Sequence, residues 1–219
     1  ALVLECNDGY LSDIRRRRLT SADAEAALDA ARGGPVPEGA VGGGTGMSAF
    51  GFKGGIGTAS RVIDLGERLF TLGALVQANF GNAGDLILPD GRQPLPPSVT
   101  AHQPPERGSV IVVLATDLPL ESRQLSRIAR RGGAGLARLG AFWGHGSGDI
   151  AVAFSTADRI AHDRDGDILP LRALNENRID LAFRAAAEAT QEAVLNAMLT
   201  APGTTGRDGH HRPSLADSL

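Results

Sequence analysis

The apolar positions of this chain fall into strand-like and helix-like runs separated by glycine-rich and proline-rich stretches. From Val110 to Ala115 every residue is apolar and most are β-branched, which predicts a strand buried on both faces. Leu69–Ala78 and Ile150–Phe154 predict two more strands, Arg61–Ile63 supplies shorter β material, and Ala1–Cys6 reads as a short strand carrying one charge, Glu5. Three stretches have helical spacing. Thr20 caps the first, which runs to about Arg32, with Asp23 where a capping box places an acid and Gly33-Gly34-Pro35 as its stop. The second covers about Glu121 to Leu139, and Gly132-Gly133 in its middle predicts a kink or a close helix–sheet contact. The third, Ala-rich and amphipathic, covers about Ile179 to Leu199, and the polar tail behind it, with His210-His211, is expected to fray.

Between Val36 and Ser60 glycine is so dense that neither period survives. Small residues there allow tight turns and let backbone N–H groups point at a ligand. A phosphate loop does not fit, because Lys53 precedes its glycines, and Gly44-x-Gly46-x-x-Ala49 matches a dinucleotide fingerprint only loosely, with no strand before it. Two glycine-turned strands lining a cleft is the better reading. Residues 93–108 are proline-rich and predict an exposed loop, which ends in Gly108-Ser109 at the mouth of the apolar strand.

That junction carries candidate chemistry. If the Gly108–Ser109 bond were cut, Ser109 would own both a hydroxyl and a free α-amine on a rigid support, the nucleophile-plus-base arrangement of N-terminal-nucleophile hydrolases. Gly108 would allow the strained backbone that an N→O acyl shift requires. The plain alternative is a loop entering a core strand. Asn79, closing the Leu69–Ala78 run, either aims its amide into a cleft as an oxyanion donor or starts a turn. A second Gly-Ser bond, at Gly146-Ser147, precedes another strand with Asp149 two residues on. A nucleophile elbow is excluded there, because His145 and Asp149 stand where glycines belong, and His145 reads as a loop residue. Asp163–Asp167 resembles half a calcium loop, but Ile168 and Leu174 replace its glycine and glutamate, so it reads as a solvated turn.

Composition narrows the classes. A chain of 219 residues with 42% hydrophobic content supports one sizeable core and one domain. Aromatics are only 4% against 29 glycines, so packing relies on close backbone approach, which suits a layered α/β arrangement. A net charge of −3 leaves no electrostatic footprint for nucleic acid or an anionic membrane, and the Arg15–Arg18 run reads as a solvated helix start. The single cysteine, Cys6, excludes an intramolecular disulfide and is expected to be a buried small hydrophobe. No apolar run approaches the ~20 residues that span a bilayer, and the expected location is cytoplasmic.

Glu5, VGGGTGM, FKGGIGT, VQANFG, GSVIVVLATDLPL and GSGDI occur in that order, and in this the chain resembles the family of self-cleaving L-aminopeptidase/D-amidase/D-esterases and β-peptidyl aminopeptidases. The resemblance runs along almost the whole chain. It implies a four-layer αββα sandwich related to the ornithine acetyltransferase fold, made as one precursor and cut between Gly108 and Ser109 into an α-chain part (1–108) and a β-chain part (109–219). Ser109 matches the nucleophile and Asn79 the oxyanion-hole amide. Glu5 matches the acid that receives the substrate amine, and Ser147 with Asp149 match the pair supporting the nucleophile. The base is either the released Ser109 amine or the Ser147/Asp149 pair. The implied substrates are short peptides, amino-acid amides or esters, with no metal or organic cofactor, and the implied assembly is a homo-oligomer of α/β heterodimers. Asn7 stands where some members carry an aromatic. Because members extend further at both ends, the segment as it stands is expected to associate or be poorly soluble, and to stay uncut. The rival reading is an uncleaved, non-catalytic binding or assembly module on the same fold.

Overall fold

The computed structural model describes residues 2–16, 18–97, 108–160, 162–163 and 167–219. Residues 98–107 of the proline-rich loop, residues 164–166 of the calcium-like turn, Ala1, Arg17 and Ala161 lie outside them. Helix α1 (Ser21–Asp29) keeps the predicted cap, with the Thr20 N–H donating to the Asp23 carboxylate at 2.8 Å, and none of its residues is buried. Strands β1 (Ser48–Ala49) and β2 (Phe52–Lys53) form a tight antiparallel pair turning through Phe50 and Gly51, both with positive φ. Strands β3 (Gly55–Asp64) and β4 (Leu69–Asn79) make a long hairpin, and β5 (Ser109–Thr116) pairs antiparallel with β4. Strand β6 (Gly148–Ser155) pairs parallel with β5, completing one four-stranded sheet in the order β3-β4-β5-β6. A parallel neighbour needs a crossover, and helix α2 (Ser122–Ala137) supplies it.

Period-two alternation sorts the sheet's side chains. Leu72, Val76, Val110, Val112 and Leu114 are buried in one cluster with Ile128 and Leu136 of α2 and with helix α3 (Ile179–Leu199). Helix α3 is Ala-rich because it approaches so closely that a Cβ at Gly57 of β3 would collide with the backbone of Ala193 and Ala197. Of the alternatives for Gly132-Gly133, the close contact is the one found: α2 is continuous, a Cβ at Gly132 would lie 3.2 Å from Val112, and one at Gly135 would lie 2.5 Å from Ala187 O. Among the described residues the four-stranded sheet thus carries α2 and α3 on its buried face, and the other sheets are two-stranded. On the other face of the four-stranded sheet Val62 (66%), Leu69 (61%) and Phe154 (48%) are exposed. Apolar faces of this kind drive association, so size-exclusion chromatography of the 219-residue chain should show species larger than a monomer.

Two expectations are corrected. Residues 2–7 belong to no strand, and Glu5 is exposed, where water solvates a carboxylate that a sheet interior would leave unpaired. The tail is not frayed: β7 (Thr204–Thr205) and β8 (His211–Arg212) pair, His210 stacks on Tyr10 at 4.5 Å, and Leu215 is fully buried. Its order comes from the contact with residue 10, about 200 positions away, which local polarity does not report.

Before α3, Glu176 accepts hydrogen bonds from Arg123 (2.5 Å), Gln124 (2.9 Å) and Arg127 of α2. Arg123 foremost, then Gln124 and Arg127, lower its pKa from 4.5 to about 2. A depressed carboxylate stabilises the fold above its unfolded pKa and loses that contribution as pH falls through the folded value. The melting-temperature gap between wild type and Glu176→Gln should therefore be full at neutral pH and close between about pH 4.5 and pH 2.

Candidate active site

The end of β4 and the starts of β5 and β6 meet at one edge of the sheet. There Ser109 is paired with Asn79 on one side and Gly148 on the other. The Gly148 N–H donates to Gly108 O at 3.0 Å, so the carbonyl before Ser109 is already engaged by a donor. A Cβ at Gly108 would lie 2.5 Å from Asn79 O and 2.7 Å from Phe80 Cα. Gly108 has no positive φ, so its glycine is required by close approach to β4 rather than by left-handed strain.

Ser109 is only 7% exposed, and its buried hydroxyl has no hydrogen-bond partner. Leaving a buried hydroxyl unsatisfied costs about 1–3 kcal/mol, and such groups call for a functional explanation. Asn79 is 6% exposed and its amide is held at both ends: Oδ1 accepts from Ser48 N–H at 3.0 Å and Nδ2 donates to Asn7 O at 3.0 Å. An amide nitrogen carries two hydrogens, so the bond to Asn7 leaves a second for a developing oxyanion. Ser147 Oγ donates to Asp149 Oδ1 at 2.7 Å, one residue to either side of the Gly148 that flanks Ser109. Neither oxygen is bonded to the Ser109 hydroxyl. Both line a cavity of about 340 Å³ with Arg130, Trp143, Val112 and Leu136. Glu5 lies in solvent two residues from the Asn7 carbonyl that Asn79 holds, and His145 is an exposed loop residue.

Two residues near this edge were not placed at the site by sequence reasoning. Cys6 is half-buried rather than a core hydrophobe, and its thiol lies near the Ser109 hydroxyl without an ordinary hydrogen bond to it. Burial raises its pKa, the Ser109 and Gln77 side chains pull it back, and Asp149 and Asp8 add to the rise, so the thiol stays protonated and is a poor competitor for the nucleophile's role. Its adjacency to Glu5 was the available signal. Lys53 is fully buried with its ammonium among backbone carbonyls, and the signal there was a charge inside an apolar, glycine-rich tract.

A buried serine opens the central strand, with an amide on the neighbouring strand and a Ser-x-acid pair on the other, and solved structures share the fold that carries them. L-aminopeptidase D-Ala-esterase/amidase from Ochrobactrum anthropi, described as a prototype serine aminopeptidase and a variant of the Ntn hydrolase fold, superposes with a TM-score of 0.84 and 45% identity over 95% of this chain and 58% of its own. The PH0078 protein from Pyrococcus horikoshii OT3 gives a TM-score of 0.85 and 45% identity over 97% of this chain and 59% of its own. The fold is therefore that aminopeptidase variant of the Ntn hydrolase type. The chain belongs to peptidase family S58, whose model matches residues 1–212. β-Peptidyl aminopeptidase BapA of Sphingosinicella microcystinivorans is 41% identical over 224 residues, covering 95% of this chain. The chain spans 57% of that relative's length.

Proposed function

We propose that the protein is a serine aminopeptidase that cuts itself between Gly108 and Ser109 and then hydrolyses amides or esters bearing a free amino terminus. The observation that carries this is the buried, unpartnered Ser109 hydroxyl at a glycine junction whose carbonyl already accepts the Gly148 N–H. Ser109 Oγ attacks the Gly108 carbonyl carbon, the Gly108–Ser109 C–N bond breaks as the nitrogen takes up a proton, and Gly108 is left as an ester on Oγ. Water then cleaves the ester, yielding the Gly108 carboxylate and restoring the Ser109 hydroxyl beside the amine that the shift has freed.

In turnover the same Oγ attacks the substrate carbonyl, the scissile C–N or C–O bond breaks as the leaving amine or alcohol takes up a proton, and water then releases the acyl group as a carboxylate and restores the hydroxyl. The Ser109 amine, with a reference pKa of about 7.7–8.0, or the Ser147/Asp149 pair accepts the Oγ proton, and the Asn79 amide receives the developing oxyanion. The activities printed in the relatives' names support short peptides, amino-acid amides and esters as substrates. The exposed apolar sheet face supports an oligomer of α/β heterodimers. Among the described residues no helix is long and apolar enough to cross a membrane.

The test is intact mass on the product of the full reading frame. Two chains meeting at Gly108/Ser109 are expected; one uncut chain after prolonged incubation would leave the non-catalytic module as the reading. Glu5 gives an independent prediction. As the partner of the substrate ammonium it contributes one charge-assisted hydrogen bond, about 1.5–3 kcal/mol. Glu5→Gln should then lower kcat/KM for free-amine substrates by roughly one to two decades, while N-acetylated substrates are poor for both proteins. Equal turnover of acetylated and free-amine substrates by wild type would return Glu5 to a solvent-facing charge.

A further inference from the structure

The Lys53 ammonium donates to Gly44 O at 2.8 Å, Met47 O at 3.0 Å and Gly54 O at 2.9 Å. Burial pushes its pKa down to about 8, with Asp8 pulling the other way, so near pH 7 it is charged and three N–H donors meet three carbonyls. Methionine would fill the same space without the cost of desolvating a charge, so the ammonium itself needs an explanation.

The explanation lies in the Met47–Ser48 peptide. Its carbonyl is held by Lys53 and also by Gly54 N–H at 2.9 Å. Its N–H, on Ser48, donates to Asn79 Oδ1 at 3.0 Å. In a planar trans peptide the C=O and N–H point in opposite directions, so clamping one aims the other. A cation on the carbonyl also polarises the group and strengthens the N–H as a donor. At Asn79 that donor decides which way the amide lies. With Oδ1 committed to Ser48, Nδ2 must face the Asn7 carbonyl, beside Cys6, a neighbour of Ser109. The flipped amide would set N–H against N–H and oxygen against oxygen.

We infer that Lys53 is a positioning residue: through the Met47–Ser48 peptide it locks the Asn79 amide with its N–H groups turned toward the place where the substrate oxyanion develops. The inference rests on the oxyanion-donor reading of Asn79, and the experiment separates the two. In the full-length protein, kcat for an amino-acyl p-nitroanilide is counted per cleaved chain for Asn79→Ala, Lys53→Met and the double variant. Asn79→Ala should lower kcat by about 10²–10³-fold. Lys53→Met should lower kcat by about 10–100-fold, by analogy with the loss of groups that orient metal ligands from behind. Its KM should be nearly unchanged, because the interaction lost acts in the transition state. The double variant should be no slower than Asn79→Ala alone, because Lys53 acts only through Asn79.

Losses that multiply in the double variant, or a Lys53→Met effect confined to KM, overturn the relay and leave Asn79's role standing. Wild-type kcat in Asn79→Ala removes the oxyanion reading and the relay with it. Should Lys53→Met not fold, Lys53→Ala refolded with propylammonium, which supplies the missing atoms, takes its place. Its kcat should rise with propylammonium when Asn79 is present and stay flat in the Asn79→Ala background, whereas an equal rise in both overturns the relay.

Discussion

Ser109→Ala in the full-length protein is expected to leave a single uncut chain and to lower hydrolysis of amino-acyl p-nitroanilides by on the order of 10⁶-fold, the scale seen when a serine nucleophile is deleted. Both losses follow from one atom, because the same Oγ attacks Gly108 in processing and the substrate in turnover. Stability should move the other way. The hydroxyl is buried without a partner, and alanine keeps every other contact of a residue 7% exposed. Removing an unsatisfied polar atom is neutral or stabilising, so the melting temperature of Ser109→Ala should equal or exceed that of an uncut wild-type chain. A loss of activity accompanied by a falling melting temperature would mean that Ser109 holds the fold together, and normal cleavage by the alanine variant would end the nucleophile reading.

Gly57→Ala is the substitution expected to damage the fold most for its size. The added Cβ points from β3 into the backbone of α3 at Ala193 and Ala197, and backbone atoms cannot move aside as a side-chain end can. Overpacking costs about 1–3 kcal/mol, and this site belongs at the upper end. At about 2–4 °C per kcal/mol for a chain of this length, the melting temperature should fall by roughly 6–12 °C. Gly33→Ala is the control, since nothing lies within 4 Å of its Cβ position and its φ is not positive. Indistinguishable melting curves for the two variants would show that α3 can withdraw from the sheet without cost.

Much of the architecture is local and was therefore legible in the residues. Helix α3 runs over Ile179–Leu199 as its period requires, and the Thr20/Asp23 box starts α1. The β-branched run at Val110 becomes the most buried strand of the four-stranded sheet, with Ser109 as its first residue. Periodicity, caps and strand propensity act within a few residues, so a linear reading captures them. The candidate site was legible as a set of residue types, and the order of the glycine-rich words pointed to the family that the comparisons then showed. Its assembly was not. Gly108 is glycine because β4 passes 2.5 Å from its Cβ position, and Asn79 is aimed by Ser48, 31 residues away. Cys6 becomes a neighbour of Ser109, and the polar tail becomes ordered, only because residues 6–10 are brought back against the sheet edge and the β7–β8 hairpin. Lys53 is tolerable inside the core only where three carbonyls converge on it. Hydrogen-bond partners and close backbone approaches between distant segments carry no period along the chain, so the tertiary structure alone decides them.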